Sequence, residues 1–317
     1  MPANAVFTIW RRLGPPDTAQ RLVAAGGALF IQSGGNTVAT ITRVDPATGK
    51  SGPAVRLAHV AGMTFGGGLL WIACRVDQLS GRESVVALSP GSLKIRHVLS
   101  LTVGRVLNTS PLAYAGGRLW AITRRGLVAI DPATGRPVRT VPVAADRQFY
   151  FLNVAASAGG AALWTTEGPG GGGLIAVQLR SPGTGAVLAA ASGPAVGIAG
   201  AQIAAAGQHA WLAYATGMLG GYLRAAAAGP GVIAESRPPG RAEFSNSIQV
   251  YLAGHQLWLT DGMADLVACA SAATGRILAA AHGVGAVSDL APLPAGRLAL
   301  IIQGQVLVVT PKPACGL

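Results

Sequence analysis

Five histidines, twelve acids and three cysteines are the side chains in this 317-residue chain best suited to acid–base or metal chemistry. His209 and His255 each fall in the turn of a Gly-x-x-x-Trp phrase, and His97 lies in a stretch that reads as an outer strand. His59 reads as part of an inner strand, where it could face a rim together with Glu167, Asp261 and Asp289. A histidine with one or two carboxylates could hold a divalent metal or act as a general base. These four residues are scattered over the chain, and no short motif ties them together. No catalytic residue, metal site or cofactor is therefore assigned. Cys74, Cys269 and Cys315 include no CxxC spacing, and an odd number cannot pair completely within one chain. Cys74 and Cys269 are expected to be buried thiols, with a Cys315–Cys269 clip to the tail as the alternative.

The elements that would position such residues are marked by tryptophan. Trp71, Trp120, Trp164, Trp211 and Trp258 recur at intervals of 49, 44, 47 and 47 residues. Most end a phrase such as Gly116-Gly117-Arg118-Leu119-Trp120 or Gly254-His255-Gln256-Leu257-Trp258. Weaker copies are centred on Phe30 and Ala299, giving seven anchors near 30, 71, 120, 164, 211, 258 and 299. A period of about 45 residues is that of one four-stranded blade. Seven such units nearly exhaust the chain, so residues 1–317 are read as a single domain.

Each unit reads alike. In the third, strands over Leu112–Ala115, Arg118–Thr123, Leu127–Ile130 and Arg136–Val143 are separated by Gly116-Gly117, by Arg124-Arg125-Gly126 and by Asp131-Pro132-Ala133-Thr134-Gly135. In the last of these turns Pro presets φ, Asp caps locally and Gly permits positive φ. The turn recurs at Asp45–Gly49 and, altered, at Ser181–Gly185, Ser271–Gly275 and Ser89–Ser92, but the fifth unit lacks it. The seventh unit has three strands, and Pro311–Leu317 makes a poor fourth. Ala5–Trp10 at the other end has no unit of its own. It is expected to become the outer strand of the last blade, closing the ring and covering a sheet edge.

The Leu-Trp phrase together with Ile130-Asp131-Pro132-Ala133-Thr134-Gly135-Arg136 resembles the seven-bladed propellers grouped with streptogramin lyases, YVTN repeats and quinoprotein-like repeats, over essentially the whole chain. The resemblance implies an all-β, seven-bladed propeller of four-stranded antiparallel blades. Quinoprotein repeats carry a docking Trp after the Thr-Gly, which Gly135-Arg136-Pro137-Val138 lacks. Streptogramin lyases use a His and acids near a divalent metal, which gives the His59 set its enzymatic alternative, lyase-like or hydrolase-like.

Net charge is +12, with lysine only at 50, 94 and 312, so arginine carries the balance. No basic run or aromatic–basic phrase is present, and specific nucleic-acid binding is not expected. Mean hydropathy is +0.45. Residues 181–223 lack Asp, Glu, Lys and Arg, yet Gly, Pro and the in-register Trp211 argue against a membrane-spanning segment. Met1-Pro2-Ala3-Asn4 lacks a signal-peptide pattern. The protein as encoded is expected in the cytoplasm, or exported or tethered if its start lies upstream.

In a propeller the approaches to the inner strands converge on one mouth of the central channel. Here they carry Gln20, His59, Asn108, Ser110, Asn153, Gln202, Ser247, Gln249, Ser288 and Asp289. Two inter-blade stretches add recognition candidates. Asp146–Asn153 contributes Tyr150 among three aromatics, and the long Arg237–Asn246 loop contributes Asn246. Gly168–Gly173 reads as a hairpin tip and not a phosphate loop. The expected function is non-catalytic binding of a small molecule, peptide or protein partner at this polar mouth, by a monomer.

Overall fold

The computed structural model describes residues 6–13, 18–35, 37–75, 83–101, 111–123, 126–142, 149–169, 173–196, 201–216, 219–229, 231–236, 244–245 and 247–316. Seven antiparallel four-stranded units form a ring. From inner to outer strand, blade 1 is Ala19–Ala25, Ala28–Gly34, Val38–Val44 and Ser51–Ala58. Blade 2 is Val60–Gly66, Leu69–Arg75, Glu83–Leu88 and Ile95–Leu101, and blade 3 is Leu112–Ala115, Arg118–Thr123, Gly126–Asp131 and Arg136–Pro142. Blade 4 is Phe149–Ala156, Leu163–Pro169, Gly173–Arg180 and Val187–Val196, and blade 5 is Ala201–Ala206, His209–Thr216, Leu219–Gly229 and Gly231–Ser236. Blade 6 is Ile248–Ala253, Gln256–Asp261, Leu266–Ser271 and Ile277–Ala281. Blade 7 is Val287–Leu293, Arg297–Ile302 and Gln305–Pro311 with the N-terminal strand Phe7–Leu13 outermost. Inner strands of consecutive blades touch all the way round, blade 7 against blade 1 included.

The closing strand pairs Phe7 with Pro311 and Leu13 with Val306, interrupted by a bulge at Trp10. It runs past the expected Trp10 boundary because Leu13 is apolar and packs between blades 7 and 1. The fifth unit, which lacks the usual turn, compensates with an eleven-residue third strand, Leu219–Gly229. Its outer strand also pairs in parallel with that of blade 4 through Ala189–Gly231 and Ala190–Val232, joining two blades into one sheet. Of the Gly168–Gly173 stretch, Gly168 and Pro169 end one strand and Gly173 begins the next, and residues 170–172 lie outside the described residues.

The repeating tryptophan is explained by its two ends. Its ring is wholly buried in all five blades, in clusters made largely of residues from two adjacent blades. Its indole N–H needs an acceptor when buried. Trp120 donates to Pro182 O at 3.0 Å and Trp211 to Ala272 O at 3.0 Å, each in the turn before the next blade's outer strand. Blade 5 has no such turn, and Trp164 uses Gly207 O of its first hairpin instead, at 3.1 Å. Trp71 uses Gly66 O of its own blade, at 3.0 Å. Blade 7 also lacks the turn, because its outer strand comes from the other end of the chain. The indole N–H of Trp258, in the cluster shared with that blade, has no hydrogen-bond partner among the described residues.

The C-terminal tail fills this gap. Cys315, wholly buried in a 3-10 turn (Pro313–Cys315), forms a disulfide with Cys269 in the third strand of blade 6, Cα–Cα 5.7 Å. Lys312 N–H donates to Val6 O at 2.8 Å, so the tail grips the closing strand as well. The expectation of a buried thiol therefore holds for Cys74 and is corrected for Cys269: the tail folds back over blade 6 because blade 7 leaves apolar surface there. The bridge closes a span of 46 residues. Replacing Cys315 by Ser is expected to lower unfolding free energy by about 2–4 kcal/mol. Chemical denaturation with and without reductant checks this; an unchanged midpoint in reductant would contradict it.

Candidate functional site

The inner strands begin at one mouth of a central cavity of about 840 Å³. Of the residues singled out from sequence, Gln20, Gln202, Ser247, Gln249, Ser288 and Asp289 line it. They belong to blades 1, 5, 6 and 7, which carry the polar side chains of the lining among the described residues. The opposite wall is Met63 with Ala155 and Ala156, from blades 2 and 4. A second cavity of about 480 Å³ shares these three residues and adds Phe65, Leu112 and Tyr114. Tyr114 stands there because Gly66 makes room: a Cβ on Gly66 would fall 1.9 Å from the tyrosine ring.

The polar residues bind the next blade as well as facing the channel. Gln202 Oε1 of blade 5 accepts Val250 N–H of blade 6 at 2.8 Å. The Tyr251 hydroxyl of blade 6 bonds to Gln249 Oε1 and reaches Ser288 O of blade 7 at 3.4 Å. Asp289 Oδ2 of blade 7 accepts Leu22 N–H of blade 1 at 2.7 Å, while Oδ1 accepts Leu290 N–H at 2.9 Å. In blade 1, Gln20 donates to Gly34 O at 2.8 Å and accepts from Gln32 Nε2 at 3.1 Å. These bonds form a chain across four blades. Tyr251 and Arg21 were missed in the sequence. Tyr251 lies two residues beyond Gln249, and the period-two geometry of a strand could have flagged it; Arg21 simply follows Gln20.

Burial raises the Asp289 carboxyl to about 6, against the lowering effects of Leu22 N–H, Arg21, Leu290 N–H and Tyr251. Burial first, then the neighbouring Asp289 charge, pushes the Tyr251 hydroxyl well above the ordinary tyrosine range. The sign for stability follows. An acid raised in the folded state binds its proton more tightly there than in the unfolded chain. Its contribution is then greatest below about pH 4 and falls as pH rises through about 6, by up to about 3 kcal/mol. Asp289→Asn is expected to remove this fall, so the variant gains relative to the parent between pH 4 and 7. Melting curves across that range test it; parallel profiles would refute it.

The remaining candidates lie elsewhere. His59 is not on the inner strand of blade 2 but in the link before it, in left-handed backbone (φ 46°) with its N–H on Thr37 O at 3.1 Å. Left-handed φ is unusual outside glycine but tolerated by histidine, and His59 is not among the residues lining this cavity. Asn153 is buried inside blade 4, donating to Thr166 Oγ1 at 3.1 Å. Its stretch was read as a loop; from Phe149 onward it is strand, with Tyr150 paired to Gly168, because the apolar run satisfies its backbone against Leu163–Pro169. The Tyr150 side chain, Asn108, Ser110 and Asn246 lie outside the described residues. Within the long loop before blade 6, Phe244–Ser245 pairs with Leu219–Gly220, and Phe244 is buried between blades 5 and 6.

The metal-site alternative does not assemble. Glu167 is paired with Arg180 at 2.6 Å in the interior of blade 4. Asp261 is buried in blade 6 beneath the preceding loop. It accepts the Ser247 hydroxyl at 2.6 Å, the N–H groups of Met263 and Ala264 at 3.1 and 3.2 Å, and both the N–H and hydroxyl of Ser245. Burial alone would raise its carboxyl, but the Ser245 and Ser247 bonds outweigh it and hold it below the usual range. Among the described residues no three His, Cys, Asp or Glu side chains come together. The carboxylates instead accept hydrogen bonds from protein donors, Arg180 for Glu167, Ser245 and Ser247 for Asp261, and Leu22 N–H for Asp289, which a metal would have to displace.

No family model matches the chain, and no curated protein matches it in sequence. Solved structures do match. The β-propeller domain of Myceliophteria thermophila Cps50 (Swd1) aligns at TM-score 0.69 and 12% identity, covering 96% of this chain and 99% of that one. Kuenenia stuttgartiensis hydrazine synthase aligns at TM-score 0.70 and 14% identity, covering 97% and 99%. BamB from Moraxella catarrhalis aligns at TM-score 0.58 and 16% identity, covering 92% and 84%. The likeness is one of fold. No helix among the described residues is long and apolar enough to cross a membrane.

Proposed function

We propose that residues 1–317 act as one non-catalytic propeller domain of the streptogramin-lyase, YVTN and quinoprotein-like kind, a monomer that binds a small molecule, peptide or protein segment at the polar channel mouth. One observation carries the reading: a cavity of about 840 Å³ with glutamine, tyrosine, serine and aspartate side chains from four blades at one end. Small-molecule sites commonly have this size, with a few placed polar groups in an otherwise apolar wall. The disulfide favours an exported or tethered protein over a cytoplasmic one, because such bonds are rare where thiols are kept reduced.

A thermal-shift screen of sugars, short peptides and divalent cations tests the proposal, since a ligand of the folded state raises its melting point by mass action. At least one sugar or peptide class is expected to raise the midpoint of the parent, and to do so far less in Gln249→Ala. No shift from any class, or shifts indifferent to that substitution, would sink it.

A further inference from the structure

We propose that the channel mouth recognises a carboxylate attached to an apolar body, the carboxylate meeting Arg21, Gln202 and Gln249 and the body lying along Met63, Phe65 and Tyr114. The inference rests on the binding reading above and names its ligand chemistry. The acceptors at the mouth are largely occupied. Gln202 Oε1 takes Val250 N–H, Gln249 Oε1 takes the Tyr251 hydroxyl, and both Asp289 oxygens take backbone N–H groups. Donors remain. The Val250 bond fixes the orientation of the Gln202 amide, so its NH₂ points the other way. One of those two hydrogens can serve Tyr251, with which Gln202 also interacts, leaving the second. The Gln249 NH₂ is turned away from Tyr251 in the same manner, and Arg21 lines the cavity, near enough for its charge to act on Asp289 and Tyr251.

A site with spare N–H donors and a cation selects a ligand that brings acceptors and negative charge. Arginine and amide N–H groups suit a carboxylate, and charge-assisted bonds of this type are among the stronger ones. The wall beyond this end changes character. Met63, Ala155 and Ala156 join the two cavities, and Phe65 and Tyr114 line the further one. Thr64 and Ser157 share that lining, and a ligand that continues past its acidic head covers the apolar side chains between them. A free organic acid and the C-terminus of a peptide present the same chemistry, and both fit the argument.

The test uses four probes on the full chain, by calorimetry: 3-phenylpropionate, its primary amide, and the peptide Ala-Ala-Leu-Phe with a free or an amidated C-terminus. At least one acid is expected to bind at least tenfold more tightly than its amide, and Arg21→Gln is expected to erase that preference while leaving the amide's affinity in place. Preference in the small pair assigns a free acid, and preference only in the peptide pair assigns a C-terminus. Arg21→Lys, which keeps the charge, should retain part of the preference and guards against a folding defect in the first variant. Equal binding of acid and amide, or a preference that survives Arg21→Gln, overturns the carboxylate assignment but leaves the channel reading standing. No binding by any probe also overturns the assignment, and the sugar and peptide screen then judges the channel reading separately.

Discussion

A chain lacking residues 1–13 is expected to lose its cooperative unfolding transition and to associate. The segment supplies the outer strand of blade 7, and its removal would bare the Gln305–Pro311 edge along the register it now shares with Phe7–Leu13. Val6 and Phe7 are 0% and 2% exposed and Leu13 6%, and each buried side chain of this size contributes about 1.5–3 kcal/mol. Their sum, with the ladder hydrogen bonds, is comparable to the whole net stability of a typical domain, about 5–15 kcal/mol. The Arg297 guanidinium, 3.7 Å over the Trp10 ring, would lose that contact too. An open strand edge is also a template for pairing with another chain. Light scattering and thermal melts of the truncated protein measure both effects. A monomer with a melting point near that of the parent would show that the ring does not depend on this closure.

The second large effect is expected at Glu167. Arg180 is 4% exposed, and its guanidinium is held by Glu167 Oε1 at 2.6 Å, Thr165 Oγ1 at 3.0 Å and Gly185 O at 2.7 Å, with Gln178 beside it. Burial lowers the Arg180 pKa and the Glu167 charge raises it again, so the carboxylate is what makes a buried cation tolerable. Glu167→Ala would leave that cation in the interior without its counter-ion, costing about 3–5 kcal/mol. Replacing both partners, as Glu167→Leu with Arg180→Met, should recover most of the loss, because two matched apolar groups carry no desolvation penalty. Denaturation of Glu167→Leu, Arg180→Met and the double variant forms the required cycle. A loss below about 1 kcal/mol in Glu167→Ala would mean that the pair is effectively hydrated.

These two sites mark what could and could not be read from residue order. The closing strand was legible because Ala5–Trp10 is an apolar run with no unit of its own, while the seventh unit lacks a fourth strand. Both facts are local. Glu167 was legible as an acid near a strand end, and so it joined His59, Asp261 and Asp289 as a possible metal ligand. Its partner Arg180 lies across a hairpin and is paired with Leu163, and its long side chain reaches along the sheet to Glu167. His59 falls in the link between the Ser51–Ala58 and Val60–Gly66 strands, in left-handed backbone, and not in the inner strand. One residue of shift changes which way a strand side chain faces, so site membership is far more sensitive to register than fold is.

The amino-acid order alone determined the number of blades, their four-strand pattern, the turns and the seam. Each of these follows from a periodic pattern of apolar residues, glycines and caps that acts over a few residues and repeats. The tertiary structure decided which polar groups meet. It paired Cys269 with Cys315, sent the Trp164 indole to a different turn from those used by Trp120 and Trp211, and gathered Gln202, Gln249, Asp289 and Gln20 from blades 5, 6, 7 and 1 onto one cavity lining. Those outcomes depend on contacts between residues tens to hundreds of positions apart, such as Asp289 with Leu22 N–H. No local pattern encodes them, because they exist only once the ring has closed.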